Sequence, residues 1–336
     1  MGALSGAAPG GDRALLAALG AALGDLAVAD APLGSRTTYR VGGRAALLVE
    51  ANDVGALAAV HDALVAVDAP VALLVVGQGS NLLVADAGFP GLVVTLGPAF
   101  AEIAVEGTTV RAGGAAKLPV LARRSARAGL RGLEWAVGIP GSVGGALRMN
   151  AGGHGADVAA VLADFRTYDL ATGEDRREVP EALHLGYRRS SLGPSQVVLE
   201  AAFALSRGER HDAQAAVDEV VRWRRAHQPG GSNAGSVFTN PEGDSAGRLV
   251  EAAGCKGLRL GSAQVSVKHA NFFQADAGGS ADDVARLVEH VRVVVAERTG
   301  VGLVPELCMV GFDPPPVVRA RSGRAQPSPS TGGRAS

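Results

Sequence analysis

Between Gly138 and Gly155 the chain reads GIPGSVGGALRMNAGGHG. A core would need bulk there, and each glycine held in one conformation costs backbone entropy. Such a stretch must either turn tightly twice or bring its main chain against something large. Two tight turns are one reading; a cradle for a big, flat or phosphorylated ligand is the other. A second cluster, VVGQGSNLL from Val75 to Leu83, poses the same choice. Here an apolar strand ends in Gly-x-Gly-Ser-Asn. Gly77 and Gly79 let N–H groups converge, with Ser80 and Asn81 adding donors, a layout suited to a pyrophosphate. The dinucleotide fingerprint is excluded, because its third glycine falls on Leu82 and a strand follows in place of a helix. A P-loop is excluded as well, since no Gly-Lys-Ser/Thr stands there.

The surroundings narrow the choice. The 336 residues suffice for two or three domains. Hydrophobic residues make up 47% and aromatics only 4%, so Ala, Val and Leu must build the cores. A formal net charge of −1 offers no global field for nucleic acid or an anionic membrane. Cys255 and Cys308 have no metal-ligand spacing and the histidines are scattered, so no metal site is expected and a reduced, cytoplasmic compartment is the simplest reading. No apolar run reaches the ~20 residues that span a bilayer. The opening MGALSGAAPGGDRALLAALGAAL reads as a short amphipathic helix, without the basic region of a signal peptide.

Along the chain, TTYRVGGRAALLVEA (Thr37 to Ala51) reads as a strand, a Gly-Gly turn and a second strand. DVGALAAVHDALVAVDAP has helical spacing and stops at Pro70, and a buried strand follows from Val71 to Val76. AEIAVEGTTVRAGGAAKL alternates like a hairpin, and PVLARRSARAGL opens a helix with Pro119. FRTYDLATGEDRREVP and VVLEAAFAL supply further strands. From His211 the pattern becomes helical up to Pro229, then strands and helices alternate to residue 312, the last helix spanning Ala281 to Arg298. The expected division is an extension over 1–32, a domain over 33–208, a second over 209–313, and a Pro-, Ser- and Arg-rich disordered tail over 314–336.

Four segments carry residues able to do chemistry. YRRSSL places Arg188 beside hydroxyls, and an arginine there can hold a carboxylate or stabilise an enolate. AGSVFTNP presents Ser236, without the nucleophile-elbow context of a hydrolase but able to donate a proton. GSAQVSVKHANFF, read as a strand, sets polar residues on alternate faces: either a basic pair for a diphosphate or the polar side of an edge strand. In GLVPELCMVG, the single acid Glu306 lies between Pro305 and an apolar run, an enclosure that raises a carboxyl pKa. Each has a plainer reading as surface or turn. The basic trio Arg123, Arg124 and Arg127 is read as a solvated helix face.

The order of these motifs is more specific than any one of them. TTYRVGG, GQGSNLLVADAGFPGLVV, GLEWAVGIPGSVGGALRMNAGGHG, YRRSSL, AGSVFTNP, SAGRLVEAAGCKGLRLGSAQVSVKHANFF and LVPELCMVG follow one another over about residues 33–312. This series resembles the UDP-N-acetylenolpyruvoylglucosamine reductase family, in its shorter subclass without an extra substrate loop. The resemblance implies an α+β fold: an FAD-binding region of the vanillyl-alcohol-oxidase (PCMH) type with two α/β subdomains, and a C-terminal α+β substrate-binding domain. It implies non-covalent FAD, NADPH as co-substrate, and reduction of UDP-N-acetylglucosamine enolpyruvate to UDP-N-acetylmuramate for peptidoglycan, in a cytoplasmic monomer. NADPH reduces the flavin and leaves, hydride then goes to C3 of the enol ether, and C2 is protonated.

Carried over residue by residue, the resemblance makes Ser236 the proton donor, with Arg188 and Glu306 stabilising the enol form. Gly77, Gln78, Gly79, Ser80, Asn81 and Leu82 become one wall of the FAD site. Gly138, Ile139, Pro140, Gly141, Ser142, Gly144, Gly145 and Ala146 become the other. Asn240, Gln264, Lys268 and His269 are candidates for the UDP-sugar. Five positions depart from the family pattern: Gln78, Arg148, His227, Thr239 and Val304. A flavin oxidase with a tethered cofactor is disfavoured, because the Gly77–Leu83 loop has neither His nor Cys. A sugar-nucleotide sensor that has lost hydride transfer is the rival from another class.

Overall fold

Alternation along Arg44–Ala51 gives way to almost continuous burial along Phe89–Leu96, the mark of a strand covered on both faces. The computed structural model describes residues 13–321. These two strands and Val71–Val76 run parallel at the centre of a five-stranded sheet, with Ala27–Pro32 and Val317–Val318 antiparallel at its edges. Helix Val54–Val67 makes the crossover. The Asp53 carboxylate caps it by accepting from Ala56 N at 2.7 Å. Leu47, Val49, Leu92 and Val94 meet Leu57, Val60 and Leu64 of the helix on one face. Leu48, Phe89 and Val93 meet Leu82 and Val84 on the other. The Gly77 loop thus leaves the carboxyl end of a parallel strand, where open α/β sheets bind ligands.

A second five-stranded sheet, wholly antiparallel, runs Asp175–Glu178, Leu162–Asp169, Gln196–Ala204, Thr109–Gly113, Ile103–Glu106. Its apolar side packs on helix Leu118–Arg127 and on the short helix Val143–Arg148. A third unit sets helices Ala246–Ala252 and Ala281–Thr299 against a three-stranded antiparallel sheet. Its last strand, Cys308–Val310, leaves that unit and pairs in parallel with Leu82–Val84.

Four expectations change. Thr37–Gly43 is not a strand: φ is positive at Arg40 (58°) and Gly42 (104°), which breaks extension, and Ala27–Pro32 is the partner of Arg44–Ala51 instead. Ser266–Asn271 is a turn, so GSAQVSVKHANFF is a strand only over Ala263–Val265 and Phe273–Ala275. Helix Arg210–His227 packs Ala213, Val217 and Val220 into the second core, so the third unit begins after it and not at residue 209. The expected tail contributes Val317–Val318 to the first sheet and buries Val318 and Ala320, so a boundary at 313 is early. Residues 1–12 and 322–336 lie outside the described residues.

Candidate active site

The parallel pairing of Cys308–Val310 with Leu82–Val84 brings the two ends of the sequence together at one place. Cys308 N donates to Asn81 O at 3.0 Å, and the Asn81 side-chain amide donates to Glu306 O at 2.9 Å. Glu306 N donates in turn to Val237 O at 2.8 Å, and Phe238 bridges Pro305. Ser236, Glu306 and the Gly77 loop are therefore neighbours through main-chain bonds.

Arg188 arrives from the second unit. Gly186 and Arg189 exchange backbone bonds of 3.1 and 3.2 Å, leaving Tyr187 and Arg188 at the tip of a tight hairpin with Arg188 at φ 55°. From there Arg188 Nε lies 3.0 Å from Glu306 Oε1, and Nη2 donates to Gly152 O at 3.0 Å. Both side chains are mostly buried, at 24% and 17% exposed. Burial pushes the Glu306 carboxyl above its ordinary range, and the Arg188 charge and hydrogen bond hold it partly back. Arg188 and Glu306 thus meet as a side-chain pair, and Ser236 directly precedes Val237, whose carbonyl accepts from Glu306 N.

The glycines answer two needs. A Cβ on Gly77 would overlap Ser142 Oγ, and one on Gly141, where φ is 152°, would stand 2.9 Å from Ser80 Oγ. These glycines let the two loops close on each other. Gly145 is different: it is exposed, and its Cβ direction meets only Ser142 Oγ at 3.6 Å. Among the described residues, the N–H groups of Gln78, Gly79, Ser80 and Asn81 have no acceptor. Beside Gln78 opens a cavity of about 470 Å³, lined also by Arg36, Thr37, Thr38, Arg40, Gly231 and Ser232. Consecutive unpaired N–H groups next to a polar cavity fit the diphosphate of a dinucleotide cofactor such as FAD. No group of three or more His, Cys, Asp or Glu able to hold a metal ion occurs among the described residues.

The expected substrate residues are placed less tightly. Asn240 Oδ1 accepts from Ala246 N at 3.0 Å, helping to start helix Ala246–Ala252. Gln264 Nε2 donates to Gly257 O at 3.3 Å within its own sheet. Lys268 Nζ donates to Arg225 O at 2.6 Å, and His269 Nδ1 accepts from Asn271 N at 3.2 Å. Burial lowers the His269 pKa. Asn271 was read only as one polar member of GSAQVSVKHANFF, and Arg224 escaped the sequence reading. Asn271 is buried and brackets the Ser236 segment: Oδ1 accepts from Phe238 N at 3.0 Å and Nδ2 donates to Phe238 O at 2.8 Å. Arg224 lies beside Gly138, half-buried, and its guanidinium has no hydrogen bond or ion pair among the described residues. Only the fold could set them apart from other asparagines and helix arginines.

Comparison with known proteins places the chain in a family. A family model described as UDP-N-acetylenolpyruvoylglucosamine reductase, C-terminal domain, matches residues 227–310, and an FAD binding domain model matches 45–177. UDP-N-acetylenolpyruvoylglucosamine reductase 2 of Symbiobacterium thermophilum is 45% identical over 285 residues, 84% of this chain and 92% of that protein. The corresponding reductase of Rubrobacter xylanophilus is 43% identical, over 84% and 94% of the two chains. The crystal structure of the reductase from Thermus caldophilus superposes with a TM-score of 0.73 at 35% identity, covering 84% of this chain and 98% of that one. With a flavin-binding segment, a C-terminal segment of matching kind and such likeness along most of its length, the chain belongs to the UDP-N-acetylenolpyruvoylglucosamine reductase family.

Proposed function

We propose that this protein reduces the enolpyruvyl ether of UDP-N-acetylglucosamine enolpyruvate to UDP-N-acetylmuramate, with FAD as bound cofactor and NADPH as electron donor. The observation that carries the reading is the Arg188–Glu306 pair, 3.0 Å apart, held against the backbone that follows Ser236. Family membership and the relatives' names support it. Bound FAD supplies hydride chemistry, and the unpaired N–H groups of Gln78 to Asn81 would hold its diphosphate. Arg188 can pair with the substrate carboxylate as negative charge grows toward it. Glu306, with its raised pKa, can stay protonated and donate to the same oxyanion. Ser236 then delivers the proton to C2, which completes the saturated product.

Arg224, unpaired beside Gly138, would take an anionic group of the sugar nucleotide, with Asn240, Gln264, Lys268 and His269 around the third unit's side of the site. We take the enzyme to be a cytoplasmic monomer; a sizing column run on the full chain tests the second point. Ser236→Ala tests the proton step. The variant should still accept electrons from NADPH, yet its flavin should be reoxidised by the enolpyruvyl substrate at least 100-fold more slowly. Reoxidation at the wild-type rate would remove Ser236 from the role.

A further inference from the structure

The glycine-rich segment does more than line a cleft. It grips the hairpin that carries Arg188 at successive points. Asn150 Nδ2 donates to Gly186 O at 3.1 Å, at the hairpin's base. Gly152 O accepts from Arg188 itself. Ser190 Oγ donates to Arg148 O at 2.8 Å, on the departing side. The Arg148 guanidinium then reaches past the hairpin and donates to three carbonyls: Leu192 at 3.2 Å, Gly193 at 2.9 Å and Gln196 at 3.2 Å.

One side chain closing three carbonyls is unusual for a residue at the end of a six-residue helix. Its environment explains why it stays. The guanidinium is largely desolvated, so losing those acceptors would leave a buried charge without partners. The segment it holds, Leu192 to Gln196, leads directly into strand Gln196–Ala204 at the centre of the second sheet. On the other side Arg148 lies within electrostatic reach of Cys308, two residues past Glu306. Arg148 thus ties down the loop that follows the Arg188 hairpin.

Arg188 needs such support. A non-glycine residue at φ 55° is held there against its own preference, and it persists only where the surroundings fix it. The geometry points to Arg148 as a positioning residue: by tying the loop behind the hairpin, it sets Arg188 at the distance and angle from Glu306 that the reaction requires. This rests on the reductase reading, because only that reading gives Arg188 a chemical task. It adds a residue outside the reacting set whose loss acts through Arg188.

The test combines a double-mutant cycle with a measurement that needs no turnover. Arg148→Met should slow flavin reoxidation by the enolpyruvyl sugar nucleotide by about 10- to 100-fold, the effect of a misplaced reacting group. Ser190→Ala, which removes one tie and leaves the buried charge paired, should slow it by a few-fold and remains informative if Arg148→Met folds poorly. In an Arg188→Ala background, adding either change should slow the step no further than about twofold, because the positioned group is already absent. Hydrogen exchange of FAD-loaded protein gives the independent readout. Amides between residues 186 and 196 should exchange faster in both variants, while those of helix Ala281–Thr299 stay as in wild type. Wild-type reoxidation in both variants, full additivity with Arg188→Ala, or unchanged exchange at 186–196 would each overturn the assignment. Failure of the wild-type protein to be reoxidised by this substrate would instead count against the reductase reading, and the exchange experiment would still decide the positioning role.

Discussion

Glu306 is held between two opposing influences: burial favours its neutral form and Arg188 favours its charge, with burial the larger. As its folded pKa lies above the ordinary carboxylate value, the native state binds more protons than the unfolded chain in the window between the two. This carboxyl therefore makes the protein less stable as pH rises through that window, and imposes no such penalty below the ordinary value. If protonated Glu306 serves the reaction, flavin reoxidation should fall as pH climbs past the raised pKa. In Arg188→Met, slower throughout, the descending limb should move to higher pH, since the opposing charge is gone. Rate–pH profiles of the reoxidation step check this, and a limb that stays in place would contradict it. Tyr39 has a buried hydroxyl with no hydrogen-bond partner among the described residues. Tyr39→Phe should leave thermal stability unchanged or raise it by about 1 kcal/mol; a loss of that size would mean the hydroxyl is paired after all. At this scale the sequence was informative about residue type and silent about partners. Arg188, Ser236 and Glu306 stand out from their motifs, whereas Asn271 acquires its importance only when its amide brackets Phe238.

The elements that carry the site are pinned by a few polar contacts. Asp283, near the start of helix Ala281–Thr299, accepts from Ser262 N and Ser262 Oγ, both at 2.7 Å, and pairs with Arg286. These bonds push its carboxyl down to about 2. Its stabilising contribution is present above the ordinary aspartate value of about 3.9 and is lost as pH falls toward about 2. Asp283→Asn should therefore lower the melting temperature at neutral pH, with the gap to wild type closing as pH falls below about 4. A gap independent of pH would show that the charge is not what matters. Helices were legible from their periodicity and stop signals. The failures came where local geometry overrode an alternating pattern. Positive φ at Arg40 and Gly42 ended the expected strand before Arg44, and Ser266 turned the next one by accepting from Lys268 N at 3.1 Å. Positive φ outside glycine leaves no mark in composition.

Across the whole molecule, Tyr39, Val41 and Leu83 of the first unit are buried in the core of the third, and two backbone connections join the same units. One is the parallel pair of Cys308–Val310 with Leu82–Val84, which delivers Glu306. The other is a reciprocal cap. Asp86 Oδ1 accepts from Ala281 N at 2.9 Å at the start of the long helix, while Asp86 N donates to Asp282 Oδ1 at 3.0 Å. Asp86→Ala should cost about 1 kcal/mol of stability, as loss of a helix cap does, and raise the KM for the sugar nucleotide, because the unit bearing Ser236 then loses one of its ties to the first. Stability loss without a change in KM would confine Asp86 to a structural role. The α+β fold class followed from the family resemblance that the motif order carries. The return of Val317–Val318 to the first sheet was not legible, because two valines in a Pro- and Arg-rich stretch carry no periodic signal.

In the proposed function, one bound flavin passes electrons from NADPH to an enolpyruvyl sugar nucleotide. The most direct test is the visible spectrum of the purified protein under anaerobic conditions, first with NADPH added and then with the enolpyruvyl substrate. The expected result is a flavin band that bleaches with NADPH and returns only when that substrate is supplied. A protein that cannot take up FAD, or a bleached flavin that the substrate leaves unchanged, would contradict that function.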